Sequence, residues 1–240
     1  EASIRNRVRG TVSVMGKPVA DASVTLWTTR GGQEPEQVKV VRSKKDGSFA
    51  VSVKPKDGTV HYLVASGGTV NKSNVDRLTM LTVLDGTEQG KAVINERTTV
   101  GSVWPNAQQL KGDQLIGSTN ALAIGSGHVK HLVNQRTGQF GTTLLNGFNL
   151  LSSETAARIN VLSNLLALCG DANQAKDCTQ LLEITGTKNS LDAMTSIAKL
   201  PWKNTNELYQ LFDKNYPLGN NSERRTTASL PYLLFEPESF

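Results

Sequence analysis

Apolar and polar residues alternate through the first quarter of the chain and recur at three- and four-residue steps through most of the rest. Alternation or short apolar runs mark "VRGTVSV" (8–14), "ASVTLWTT" (22–29), "VKVVRS" (38–43), "GSFAVSV" (47–53) and "VHYLVAS" (60–66). Gly/Pro/Asp clusters separate them: "MGKPVAD", "RGGQEPE", "KKDG" and "KPKDG". Short alternating strands with a turn signal every ten residues or so predict an antiparallel β-sandwich. Asp46-Gly47 predicts a hairpin turn, because Gly reaches positive φ at little cost.

The period changes near residue 97. In "SSETAARINVLSNLLALCG" (152–170), Ala156, Ile159, Leu162, Leu165, Leu166 and Cys169 form one helical stripe, with Ser153 placed to cap it. "TTVGSVWPNAQQL", "TNALAIGSGHVKHLV", "KDCTQLLEIT" and "SLDAMTSIAKL" also read as helices. In "NTNELYQLF", Asn204 precedes Glu207 by three positions, a capping-box arrangement. "VDRLTMLTVLD" (75–85) and "KAVI" (91–94) read as strands between the two regions. The predicted class is therefore α+β in two domains. Residues 1–68 form the sandwich, and 69–218 a mostly helical domain with short strands at its start. Residues 219–240 form an extended tail or linker.

The stretch "VRGTVSVMGKPVADASVTLW", followed by "KKDGSFAVSV", resembles the carboxypeptidase regulatory-like, or transthyretin-like, domain. Gly10, Pro18, Ala22, Gly47 and Phe49 fall in the family's order across residues 6–68. The resemblance implies a small β-sandwich used as a spacer or adhesion module in exported proteins. "INERTTVGSVW", "AARINVLSNLLALC" with a second Cys, and "SLDAMTSIAKLPWKNTNELYQLF" extend it over residues 60–218. They resemble the two-cysteine helical segment that follows such a domain, and precedes NHL-type β-propellers, in secreted bacterial proteins. These 240 residues hold no propeller repeat, so no propeller activity carries over.

Charge adds a localised feature. Residues 1–68 hold 11 Lys/Arg against 6 Asp/Glu, whereas the rest is balanced at 15 of each, so all of the net +5 lies in the predicted sandwich. "RNRVR" (5–9) and "RSKK" (42–45) carry much of it. Such a face attracts polyanions. Nucleic-acid signatures and interleaved aromatics are absent, which disfavours a specific nucleic-acid partner. An anionic polysaccharide is the alternative, with Trp27, Arg42, Lys44 and Lys45 as candidate contacts.

The two cysteines, Cys169 and Cys178, are spaced for a short-loop disulfide, which we expect over a pair of free thiols. That implies an exported protein, secreted, at the cell surface or periplasmic. No apolar run reaches membrane-spanning length, and the chain opens without Met or a signal-peptide pattern, which reads as a processed or trimmed form.

Catalytic and metal templates fail on inspection. "DGTEQGKAVINE" (85–96) spaces Asp85, Gly90 and Glu96 like a calcium loop, but Thr87 and Gln89 are poor ligands at its third and fifth positions. Ser196-Ile-Ala-Lys199 lacks its partner motifs, and "GTEQGKA" falls short of a phosphate loop. His128 and His131 lack a third metal ligand. Lys17 and Lys39 have no diagnostic motif for an isopeptide bond. We expect no cofactor, no metal and no enzymatic activity.

"AVINERTTVGSVW" (92–104) is the most unusual string. It reads as a joint where a buried strand ends at Ile94 and a helix begins, capped by Thr98 or Thr99, with Asn95 and Glu96 bonding backbone groups. The leading expectation is an extracellular structural or adhesion module with protein partners, including copies of itself joined by β-strand addition through residues 1–9 or the tail. A polyanion-binding module is second. A hydrolase or lyase using Glu96 is third.

Overall fold

The alternating residues of the first region sort onto the faces of two sheets, and the later strands join the same sheets. The structure, a computed structural model, describes residues 6–86, 89–145 and 150–216. The first six strands are β1 (Asn6–Val14), β2 (Lys17–Pro18), β3 (Ser23–Arg30), β4 (Glu36–Arg42), β5 (Ser48–Val53) and β6 (Thr59–Ser66). β7 (Thr69–Val70), β8 (Ser73–Asn74), β9 (Thr79–Val83) and β10 (Lys91–Ile94) follow. In one sheet β1 lies between β10 and β5, with β2 against its end; the other has the order β4-β3-β6-β9. All pairs are antiparallel except β1–β10, which is parallel.

The sheets therefore reach past residue 68 to Ile94, and the fold is α+β with a helical region from 96 to 215. Asn6–Arg9 lie in β1, paired with β5, and Arg9 pairs with β10 as well, so they are not an arm available for donation. Residues 1–5 and the predicted tail 219–240 lie outside the described residues.

Turn chemistry explains two features of the sandwich. Met15 and Gly16 both have positive φ, 52° and 70°, and join paired β1 and β2 as a two-residue hairpin of the type whose twist matches that of the strands. Gly47, at φ 80°, forms the expected turn with Asp46. That turn does not close a hairpin, however, because β4 pairs with β3 while β5 pairs with β1. The chain there crosses from one sheet to the other. At Gly10 a side chain would collide with the Phe49 ring at 2.4 Å, so the missing Cβ is what lets Phe49 lie across β1.

The helices are α1 (Glu96–Asn106), α2 (Thr119–Leu132), α3 (Thr142–Leu145), α4 (Leu150–Ala167), α5 (Ala175–Thr185), α6 (Ser190–Lys199) and α7 (Thr205–Asn215). Between α1 and α2 lies a small hairpin of β11 (Leu110–Lys111) and β12 (Gln114–Leu115). Ser153 lies inside α4 rather than at its start. Asn204 precedes α7 in a left-handed conformation and makes no capping bond; its amide donates instead to the Ile184 carbonyl.

β9 is an edge strand with no exposed residue. Its outward N–H groups, at alternate positions, meet side-chain hydroxyls from two helices. Thr79 N donates to Ser190 Oγ at 2.8 Å, Leu81 N to Thr99 Oγ1 at 3.2 Å, and Val83 N to Ser102 Oγ at 3.1 Å. Each such amide left unpaired in the interior costs about 1–3 kcal/mol. Serine and threonine, ordinary in a helix, thus act here as the partner strand that β9 lacks. One continuous apolar cluster runs from Val8 and Val24 in the sheets through Val100 and Val103 of α1 to Leu165 and Leu211. Sandwich and helices share a single core.

Candidate functional site

Alternation along β1 buries Val8, Val12 and Val14 and leaves Arg7, Arg9 and Thr11 on the outer face of its sheet. β10 adds exposed Lys91 and half-buried Val93 on the same face. The parallel register sets Arg9 beside Lys91 and Thr11 beside Val93. Arg42 and Lys44 approach from the β4–β5 crossing, and Arg136 from the segment after α2. That segment is fixed to the sheet edge, because Val93 N donates to the Gln135 carbonyl at 2.9 Å. The result is a cleft of about 810 Å³ lined by six cationic side chains and by no carboxylate.

The electrostatics follow from that composition. Like charges on neighbouring strands oppose one another, so Arg9 beside Lys91 costs stability unless an anion answers them. Among the described residues, Arg7, Arg9, Lys91 and Arg136 have no carboxylate ion-pair partner. Arg42 alone is engaged, 3.3 Å from Asp21 Oδ1, and this pair is mostly exposed, so it is weak. The Asp46 carboxyl lies below its ordinary range, chiefly because the Ser48 hydroxyl and amide donate to it, with a smaller contribution from Lys44. Lys45 is exposed but does not line the cleft.

Trp27, a candidate ligand contact from the sequence, is not on this face. It is 5% exposed and stacks on Tyr62, its cross-strand partner, with ring planes 2° apart and centroids separated by 6.0 Å. The reason is the β11–β12 hairpin, which covers the sheet face that alternation alone would leave to water. Tyr62 Oη donates to the Asp113 carbonyl at 2.9 Å and accepts from Leu115 N at 3.1 Å, while Thr29 Oγ1 donates to the Leu115 carbonyl. Burial pushes the Tyr62 phenol well above its usual pKa. Trp202, by contrast, is 54% exposed.

The joint at residues 95–99 combines local capping bonds with bonds to distant segments. Asn95, not Thr98 or Thr99, occupies the N-cap of α1: its Oδ1 accepts Thr98 N at 2.9 Å, and Thr98 Oγ1 accepts Asn95 N at 3.0 Å. Asn95 Nδ2 also donates to the Gly138 carbonyl. Thr99 Oγ1 donates to the Asn95 carbonyl while accepting Leu81 N. Glu96 Oε1 accepts Met15 N at 3.1 Å, at the positive-φ turn between β1 and β2. Glu96 and Arg97 line a second cleft, of about 630 Å³, which meets the basic one at Thr11 and Val93. The Arg97 guanidinium lies 4.6 Å above the Phe140 ring and donates to Gln139 Oε1.

The remaining candidates resolve simply. Cys169, in the turn just after α4, and Cys178, in α5, form a disulfide with Cα atoms 4.8 Å apart. Gln89 is buried and closes its turn by accepting Asp85 N and donating to the Lys91 carbonyl; Thr87 lies outside the described residues. His128 and His131 are exposed neighbours on α2, and among the described residues no three metal-ligating side chains cluster. No described helix is long and apolar enough to cross a membrane.

No protein-family model matches the chain, and no curated protein matches it. Among solved structures, a 9R-lipoxygenase from Cyanothece aligns over 76% of this chain at 12% identity and a TM-score of 0.28. The aligned chain spans about a quarter of that protein, 26%, and at this TM-score the likeness carries no argument.

Proposed function

We propose that this chain is a non-enzymatic, exported structural or adhesion module of bacterial type, and that its contact surface is the basic cleft, which takes an anionic polysaccharide. The observation that carries this reading is the in-register placement of Arg9 and Lys91, joined by Arg7, Arg136, Arg42 and Lys44, with no carboxylate in the cleft lining. A face that gives up stability to hold like charges together gains from a bound anion. The Cys169–Cys178 disulfide supports an oxidising, non-cytoplasmic location. The engagement of Glu96 with the Met15 amide favours a structural part for that carboxylate over general acid or base work.

Heparin, used as a soluble polyanion, tests the reading. Binding at low salt should weaken steeply as salt rises, and Arg9→Glu with Lys91→Glu should abolish it. Wild-type protein that does not bind heparin at low salt sinks it.

A second reading, self-association by strand addition, is favoured by β4. Among the described residues this edge strand pairs only with β3, and it exposes Val38 and Val40 at 48% and 50%. Open edges are pairing sites. A strictly monomeric species by light scattering at high concentration removes it.

A further inference from the structure

The second cleft differs in kind from the basic one although the two are continuous. Its floor is shared at the Thr11–Val93 rung, and it extends along β1 to Ser13. Asn160, Ser163 and Asn164 of α4 line it together with Glu96 and Arg97 at the start of α1. All three α4 residues are polar and at least nine-tenths buried, an unusual stripe for a helix that is otherwise apolar where buried. Ser163 Oγ is buried with no hydrogen-bond partner among the described residues. A buried hydroxyl that lines a cleft is placed to bond a group held in that cleft.

This lining selects a ligand chemistry. Amides and hydroxyls both donate and accept, which complements groups that do the same, above all the hydroxyls of a sugar. Glu96 and Arg97 in this lining cancel in net charge, whereas the basic cleft carries six cations, so the charged part of a ligand is drawn toward the basic end. From Arg7 to Ser13 the strand spans about 20 Å at the usual rise per residue. The trough thus has a strongly cationic end and an end of amides and hydroxyls where Glu96 and Arg97 balance in charge, both along β1.

We infer that the Glu96 cleft is a saccharide subsite, and that the chain's ligand is an acidic oligosaccharide with uncharged sugar units between its charged groups. Its anionic groups lie over Arg7, Arg9, Lys91 and Arg136, and an uncharged sugar fills the cleft beside Ser163. This rests on the anionic-polysaccharide reading and narrows it, because polyphosphate and nucleic acid satisfy only the basic end.

Titration calorimetry of the whole chain with hyaluronan decasaccharide, which carries a carboxylate on alternate sugars, and with inorganic polyphosphate separates the two levels. Ser163→Ala removes a hydroxyl that has no partner among the described residues, and Asn160→Ala serves as a second variant. Each should weaken hyaluronan binding about 3- to 10-fold, the value of one hydrogen bond, and leave polyphosphate binding unchanged. Arg9→Glu should weaken both. Hyaluronan binding untouched by both cleft variants, or polyphosphate bound where hyaluronan is not, overturns the saccharide subsite and leaves the basic face standing. Loss of neither ligand in Arg9→Glu overturns the basic face itself.

Discussion

The Glu96 carboxylate accepts the backbone N–H of Met15 at 3.1 Å, across 81 positions of sequence. One end of this bond is the first residue of the first long helix, and the other is the positive-φ residue of the β1–β2 turn. The bond therefore fixes the helical region to the sandwich at the point where the chain leaves the sheets. Asn95, one residue earlier, adds the Gly138 loop to the same joint.

Removing the Glu96 side chain should loosen that joint. Glu96→Ala is expected to lower stability by about 1–2 kcal/mol in urea unfolding, since the Met15 amide loses a charged acceptor in a half-buried place. Glu96→Gln keeps an acceptor oxygen and should lose less. Equal losses in the two variants would show that the hydrogen bond is not what matters.

The hydroxyls that line β9 make a sharper case. Thr99→Val and Ser102→Ala each strand a buried strand amide, so each should destabilise the protein by about 1–3 kcal/mol. Thr99→Ser, which keeps the oxygen, should recover much of the loss. Thermal unfolding of the three variants decides it, and a Thr99→Val protein as stable as Thr99→Ser would refute the role of the hydroxyl.

Reduction of Cys169–Cys178 frees a loop of about ten residues, for which the chain-entropy estimate is about 2.7 kcal/mol. The double variant Cys169→Ala/Cys178→Ala should unfold at correspondingly lower denaturant. Hydrogen exchange should quicken first in α5 and the end of α4. Arg77, whose guanidinium bonds Thr179 Oγ1 and the Ala175 carbonyl, holds α5 independently of the disulfide and limits the spread of the effect.

His61 supplies a pH signature. It is 6% exposed, between Thr28 Oγ1 at Nδ1 and Thr59 Oγ1 at Nε2, and burial lowers its pKa below the ordinary 6.5. Thr59 donates its hydroxyl proton to the Lys56 carbonyl, so it accepts from Nε2–H, and Nδ1 is left to accept from Thr28. The folded protein thus favours the neutral ring. The unfolded chain binds the proton first, so stability is full above about pH 6.5 and declines as pH falls through that value toward the folded-state pKa. His61→Gln should flatten this part of the pH profile of stability; an unchanged slope in the variant would assign it to another group.

The period of the sequence by itself determined much of this molecule. Strict alternation in 8–14 or 47–53 can bury only one face, and three-four spacing in 156–169 can only be helical, so those elements and the α+β class were legible. The nearness of Cys169 and Cys178 along the chain made their bond legible too. The basic face was half visible: its charge excess in residues 1–68 reads directly, but Lys91 and Arg136 join it only through the β1–β10 register and the Gln135 contact. Tertiary structure alone decided the rest. Alternation cannot say whether the other face of a sheet meets water or protein, so the burial of Trp27 under the β11–β12 hairpin was hidden. A turn signal at Asp46-Gly47 cannot say whether its flanking strands pair with each other or with β3 and β1. Nor can a helix sequence show that Thr99 and Ser102 will stand where a strand would, because local propensity carries no information about which distant amides need an acceptor.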